Sequence, residues 1–170
     1  HLYIPESDTL DVSRVLCGSE GSLGFITEAR LNITPIPRYR TLVNVQYDSF
    51  PSALRNAPFM VEAHALSVET VDSRVLGLAR PGIIWHSVKE SIQDVPGKDL
   101  HGLNIVEFAD TNEAEHQAKV AELCRRIDAL LAKGEAGIIG YQVCSHLPSI
   151  ETIDAMRKKS VGLLGNAEGR

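Results

Sequence analysis

Beyond residue 40, short runs with a period of two trade places with longer runs whose apolar positions recur near every 3.6 residues. Residues 41–47 are rich in β-branched side chains and alternate, which predicts a strand. Asp48 or Ser49 can cap a helix that starts near Pro51 and runs to about Ala57, where Pro58 interrupts or kinks it. Residues 66–71 predict a second strand, after which Asp72 or Ser73 caps a short helix ending before Pro81-Gly82. Residues 81–100 read as loop, with Pro96-Gly97 as a turn signal. Residues 103–108 predict a third strand. Thr111 then caps a long helix to about Lys133, on which Ala114, Ala118, Ala121, Leu123, Ile127, Leu130 and Leu131 form one stripe, and Gly134 closes it. Residues 137–143 predict a fourth strand, and Ser149 opens a last helix through Met156 and Lys159. The order is β-α-β, an insertion, β-α-β and a helix. That order predicts an α+β fold of the ferredoxin-like split type, an antiparallel sheet with two helices on one face.

The first 38 residues are patterned differently. Residues 1–13 are polar and read as a connector, and residues 13–16 as a half-turn of helix. In residues 24–34 the side chains of Phe25, Thr27, Ala29, Leu31 and Ile33 would share one face, which predicts a strand. Pro35 and Pro37 cannot donate to a ladder, so 35–38 is the best candidate domain boundary. The expected division is 1–38 and 39–170, the second of which can form its own core.

Composition narrows the field. The chain has 170 residues, enough for one ordinary core or one domain plus a fragment. Its net charge of -5 is spread along the chain, so no basic footprint for nucleic acid is seen. No apolar run approaches the roughly 18 residues of a membrane helix, and no signal-peptide pattern follows His1. Cys17, Cys124 and Cys144 are too scattered for a disulfide framework or a zinc site, which points to a reducing, cytoplasmic compartment.

The candidate chemistry begins at residues 17–29. Gly18, Gly21 and Gly24 stand at every third position, followed by an apolar run. Glycines so spaced let the backbone turn with positive φ and approach another group closely, and the amides of such a loop can cradle a diphosphate. The pattern G-x-x-G-x-x-G is neither the dinucleotide fingerprint nor the P-loop. By glycine count alone, a structural turn comes before a ligand loop.

The full wording, Gly-Ser-Glu-Gly-Ser-Leu-Gly-Phe-Ile-Thr-Glu-Ala (18–29) followed by Leu-Asn-Ile-Thr-Pro-Ile-Pro (31–37), closely resembles the end of the FAD-binding domain in FAD-linked oxidases of the vanillyl-alcohol oxidase superfamily. The resemblance implies that Gly18, Ser19, Glu20, Gly21, Gly24 and Ile26 contact FAD along its diphosphate and ribityl chain, mostly through backbone. It extends to residues 52–60, to 67–72, which nearly match the family's Ala-x-Glu-x-x-Asp strand, and to 155–163. These are similar to the long bacterial D-2-hydroxyglutarate and D-lactate dehydrogenase-like members, of which the chain would be a middle slice. The implied activity is oxidation of a D-2-hydroxy acid to the 2-oxo acid. Electrons would pass to a quinone or an electron-transfer protein, with a 4Fe-4S cluster in a C-terminal module and a place in the cytoplasm or on the inner membrane. The family's histidine motif for base and metal is not in this sequence, so catalytic residues stay unassigned and no metal site is expected.

Arg157 reads in two ways. It belongs to a basic helix end with Lys158 and Lys159, which suits the helix dipole. An arginine fork also grips a carboxylate bidentately. In the resembled family an arginine in this context points at the substrate carboxylate, although the companion threonine is replaced by Val161. His64, His86, His101, His116 and His146 lack the spacing of a site and read as surface or satisfied core residues. Trp85 and Tyr141 read as packing residues, and Glu69 and Glu107 as solvated or structurally paired. Two functions follow: a piece of an FAD-dependent oxidoreductase, inactive alone, or a non-catalytic ferredoxin-like regulatory or small-molecule binding module.

Overall fold

The structure, a computed structural model, describes residues 2–79 and 91–165. It divides into two compact units, His1–Thr34 and Pro35–Arg170.

In the second unit, strands β3 (Tyr39–Tyr47), β4 (Ser67–Asp72), β5 (Gly102–Asp110) and β6 (Ile138–Cys144) form one antiparallel sheet in the order β4-β5-β3-β6. This is the order the ferredoxin-like arrangement requires. β3 pairs with β5 over its whole length, from Tyr39 opposite Asp110 to Tyr47 opposite Gly102, and with β6 on its other side. Helices α2 (Phe50–Val61) and α4 (Glu113–Lys133) cover one face. There Ala53, Met60, Leu123 and Ile127 pack on Val43, Val45, Tyr47, Val106 and Phe108.

The two helices expected on one face are α2 and α4; what the sequence did not show is that the other face is covered as well. Helices α3 (Ser73–Ala79) and α5 (Leu147–Gly165) cover the second face, where Leu76, Ile150, Ile153 and Met156 pack on Leu42, Leu103, Ile105 and Cys144. This explains why β3 is buried without alternation from Thr41 to Tyr47: a strand covered on both faces has no solvent side.

Three smaller expectations also change. Pro58 does not break α2, which runs on to Val61. Pro58 lies on the exposed side of the helix, so water can serve the carbonyl it leaves free, while burial of Met60 holds the last turn in the core. The cap of α4 is Asn112 rather than Thr111; its side chain accepts a hydrogen bond from the Glu115 amide, and Gly134 closes the far end at φ 67°. Helix α5 begins at Leu147, not Ser149. Asp72 caps α3 by accepting from the Val75 amide at 2.8 Å. The expected turn at Pro81-Gly82, Trp85 and His86 lie outside the described residues.

The first unit holds a two-residue hairpin, β1 (Tyr3–Ile4) with β2 (Thr9–Leu10), and a single helical turn, α1 (Ser13–Leu16). It replaces the expected connector. The strand expected over 24–34 is not formed. Those residues pair with no strand among the described residues, and Phe25 and Ile33 are 98% and 93% exposed. An alternating pattern becomes a strand only when a neighbour completes its hydrogen bonds and covers its apolar face.

Candidate functional site

The glycine loop hangs on the end of α1. The Ser19 amide donates to the Leu16 carbonyl at 3.1 Å, and the Ser22 amide and hydroxyl both donate to the Ser19 carbonyl, at 2.9 and 2.6 Å. Gly18 and Gly21 have φ of 82° and 81°, a region that side chains resist. Glu20, between them, also has positive φ, at 50°. Gly24 has no such φ, and a Cβ built at 18, 21 or 24 would meet nothing within 4 Å. The turn therefore accounts for two glycines, and the third faces open space. Ser19 is half-buried, whereas Gly18, Glu20, Gly21, Gly24 and Ile26 are exposed. The strip is bare backbone, with Leu23, Phe25 and Ile26 exposed along it.

A second cluster lies in the Pro35–Arg170 unit, where alternation on three strands meets the inner side of α5. The side chains of Arg40 (β3), Ser67 and Glu69 (β4) and Glu107 (β5) share the sheet face that α5 covers. Arg40 donates from Nε and Nη2 to Glu107 Oε1 at 3.0 and 2.7 Å, and from Nη2 to Asp154 Oδ2 at 3.2 Å. Ser67 donates to the other oxygen of Glu107. Arg157 donates from Nη1 to Asp154 Oδ1 at 3.0 Å, and its Nη2 pairs with Glu69. Burial first, and then the positive charge of Arg40, lower the pKa of Arg157. Arg40 goes the other way: burial pulls it down, but Glu107 and Asp154 outweigh that and raise it. The cluster, together with Lys158, lines an open cleft of about 400 Å³. Arg157 Nε is buried and has no hydrogen-bond partner among the described residues. A buried guanidinium N–H left unsatisfied is costly, so this atom is set to receive an acceptor.

Arg157, Glu69 and Glu107 stood out in the sequence, the two carboxylates as solvated or structurally paired, and both are paired here; Arg40, Ser67 and Asp154 did not stand out. Asp154 and Arg157 stand one helical turn apart, and Arg40 and Leu42 share a strand face; both relations were readable. What joins α5 to β3 and β4 was not.

On the opposite sheet face His116 is buried. It hydrogen-bonds Asp110 through Nδ1 at 3.0 Å and the Thr41 hydroxyl through Nε2 at 2.8 Å, and Thr41 reaches Ser145 at 3.0 Å. His64, His101 and His146 are exposed. Among the described residues no group of three His, Cys, Asp or Glu could hold a metal ion. Tyr141 is half-buried against the α2–α4 core. No described helix is long and apolar enough to cross a membrane.

Comparison with known proteins adds two findings. The model of the family "FAD linked oxidases, C-terminal domain" matches residues 36–170. The chain is 62% identical over 169 residues, 99% of its own length, to the D-2-hydroxyglutarate dehydrogenase of Escherichia coli (strain K12), and covers 17% of that protein. It is 56% identical over its full length to the enzyme of that name from Pantoea ananatis, again covering 17%. With the one from Pseudomonas putida it shares 44% over 164 residues, 96% of this chain and 16% of the relative. The chain thus spans about one sixth of the length of the curated relatives it matches.

Proposed function

This chain belongs to the FAD linked oxidases, whose C-terminal domain it carries, and from that premise we propose that the whole protein oxidises D-2-hydroxyglutarate to its 2-oxo acid. The observation that carries the reading is identity that runs over 99% of the chain, glycine loop and sheet domain alike, to enzymes named for that substrate. When bound, FAD supplies the two-electron acceptor for the hydride that leaves the α-carbon.

In this reading residues 1–38 end the FAD-binding domain, and residues 39–170 form the cap over the substrate. The backbone at Gly18, Ser19, Glu20, Gly21, Gly24 and Ile26 would hold the cofactor; its amides would supply donors for the diphosphate, and the short or absent side chains would allow close approach. Arg157 grips a substrate carboxylate, for which its open Nε supplies a donor. The group that takes the hydroxyl proton lies outside the residues assigned here. Electrons leave to a quinone or an electron-transfer protein, through a 4Fe-4S cluster in a C-terminal module, in the cytoplasm or at the inner membrane. The present chain by itself neither turns over nor binds FAD tightly.

The second reading, a ferredoxin-like binding module, draws on the self-contained core of the Pro35–Arg170 unit. Residues 17–37 argue against it, since a free-standing sensor has no use for a bare glycine strip and a row of exposed apolar side chains.

The test is purification of the whole protein. The oxidase reading expects a yellow protein that reduces a dye acceptor with D-2-hydroxyglutarate in preference to D-lactate. A colourless, inert product would favour the binding module. Titration calorimetry of the isolated chain with FAD should give no binding in the sub-micromolar range.

A further inference from the structure

The two carboxylates that hold Arg157 are not equivalent. Asp154 is 26% exposed and stands between two arginines, with Arg40 on Oδ2 at 3.2 Å and Arg157 on Oδ1 at 3.0 Å. Arg40 is itself fixed by both of its bonds to Glu107, which Ser67 holds from the other side. Asp154 is thus the end of a braced series that reaches across three strands. Glu69 is 44% exposed, and Arg157 is its ion-pair partner among the described residues. It can rotate into solvent at the cost of one pair, whereas Asp154 cannot leave without breaking its bonds to both Arg40 and Arg157. Arg157, 21% exposed, keeps Nε without an acceptor on the same edge of the guanidinium that Glu69 occupies through Nη2. A carboxylate that took the place of Glu69 would use both Nε and Nη2, the bidentate fork that a lone Nη2 contact forgoes.

We propose that Glu69 is an internal stand-in for the substrate carboxylate, displaced from Arg157 on binding, while the Glu107–Arg40–Asp154 series is a positioning device that keeps the guanidinium in place during the exchange. This rests on the reading of Arg157 as the substrate clamp. Affinity is then set by a competition: each substrate carboxylate must outbid Glu69, and the cleft is never left with an unpaired buried cation. Removing the competitor should tighten binding, whereas weakening a purely structural ion pair should not.

The experiment is steady-state kinetics of the whole, flavin-loaded protein with D-2-hydroxyglutarate and a dye acceptor, together with competitive inhibition by succinate, which cannot be oxidised at a hydroxyl it lacks. Arg157→Lys should raise KM about tenfold or more, the loss of a charged bidentate contact. Glu69→Gln should lower KM, and the inhibition constant of succinate in parallel, by about two- to fivefold, the worth of an exposed ion pair. Asp154→Asn should raise both. Flavin absorbance per protein checks that each variant is folded. If Glu69→Gln loses its flavin, Glu69→Asp, which keeps the charge but shortens the reach, should give the same fall in KM. An unchanged KM in Arg157→Lys removes Arg157 as the clamp, and the stand-in with it. A raised KM in Arg157→Lys, with KM unchanged or raised in the Glu69 variants, leaves the clamp standing and overturns the stand-in alone.

Discussion

Residues 24–34 and strand β3 carry nearly the same kind of pattern and meet opposite fates. Both alternate, both are rich in branched and aromatic side chains, and both are long enough for an ordinary strand. β3 pairs on both edges and is covered by helices on both faces, so Leu42, Val43, Val45 and Tyr47 are fully buried. Residues 24–34 pair with nothing described, and Phe25, Leu31 and Ile33 stand in solvent. Strand formation is therefore a property of the neighbourhood more than of the pattern.

The contrast can be broken most directly by hydrogen exchange on the isolated chain. Amides of β3 and β5 should exchange slower than those of 24–34 by about a thousandfold or more, since the former open only with the whole core. Comparable protection would mean that the segment has found a partner.

Side-chain truncation gives the next largest effect. Phe108→Ala, in the core under α4, should destabilise the isolated chain by about 3–5 kcal/mol in chemical unfolding. Phe25→Ala should stay within about 0.5 kcal/mol there, yet lower flavin retention in the whole protein.

Glycines sharpen the same distinction. Gly137 has φ 67°, and a Cβ there would press on Ser52 and Asp48. Gly137→Ala should cost at least about 1–2 kcal/mol in thermal unfolding of the isolated chain. Gly24→Ala should be neutral in that assay and reduce only the flavin content of the whole protein. A loss of stability from Gly24→Ala would show that this glycine serves the turn.

The smallest effect probes where the ladder starts. Asp110 pairs in register with Tyr39, and its carbonyl accepts from the Arg38 amide at 3.0 Å. The Lys119 hydrogen bond, helped by His116 and opposed by burial, holds its carboxyl below the ordinary 3.8. A carboxyl with a lowered folded pKa contributes stability above its unfolded value and loses it as pH falls through the folded one. Acid unfolding followed by circular dichroism should thus be steeper below about pH 4 in the native chain than in Asp110→Asn. Equal slopes would mean that the Lys119 contact is not held in solution.

Much of the sheet domain was legible because its signals are local. The stripe from Ala114 to Leu131, the Gly134 closure and the β-branched runs each act over a few residues. Pro58 and Thr111 misled because a proline's cost depends on which side of the helix faces water, and because Asn112 offered the better-placed acceptor. The Arg40–Asp154–Arg157 series joins residues more than a hundred positions apart, and no periodicity encodes such a meeting.

The sequence by itself determined the element types of the sheet domain, the ferredoxin-like order and the left-handed backbone at Gly18, Gly21 and Gly134, because these follow from sterics and spacing along the chain. Only the tertiary structure decided that both sheet faces are covered, that residues 24–34 pair with no described strand, and that Asp154 is shared by two arginines while the more exposed Glu69 meets Arg157. Those outcomes depend on which distant groups share a small volume, and burial and charge pairing take their energies from that volume rather than from the order of residues.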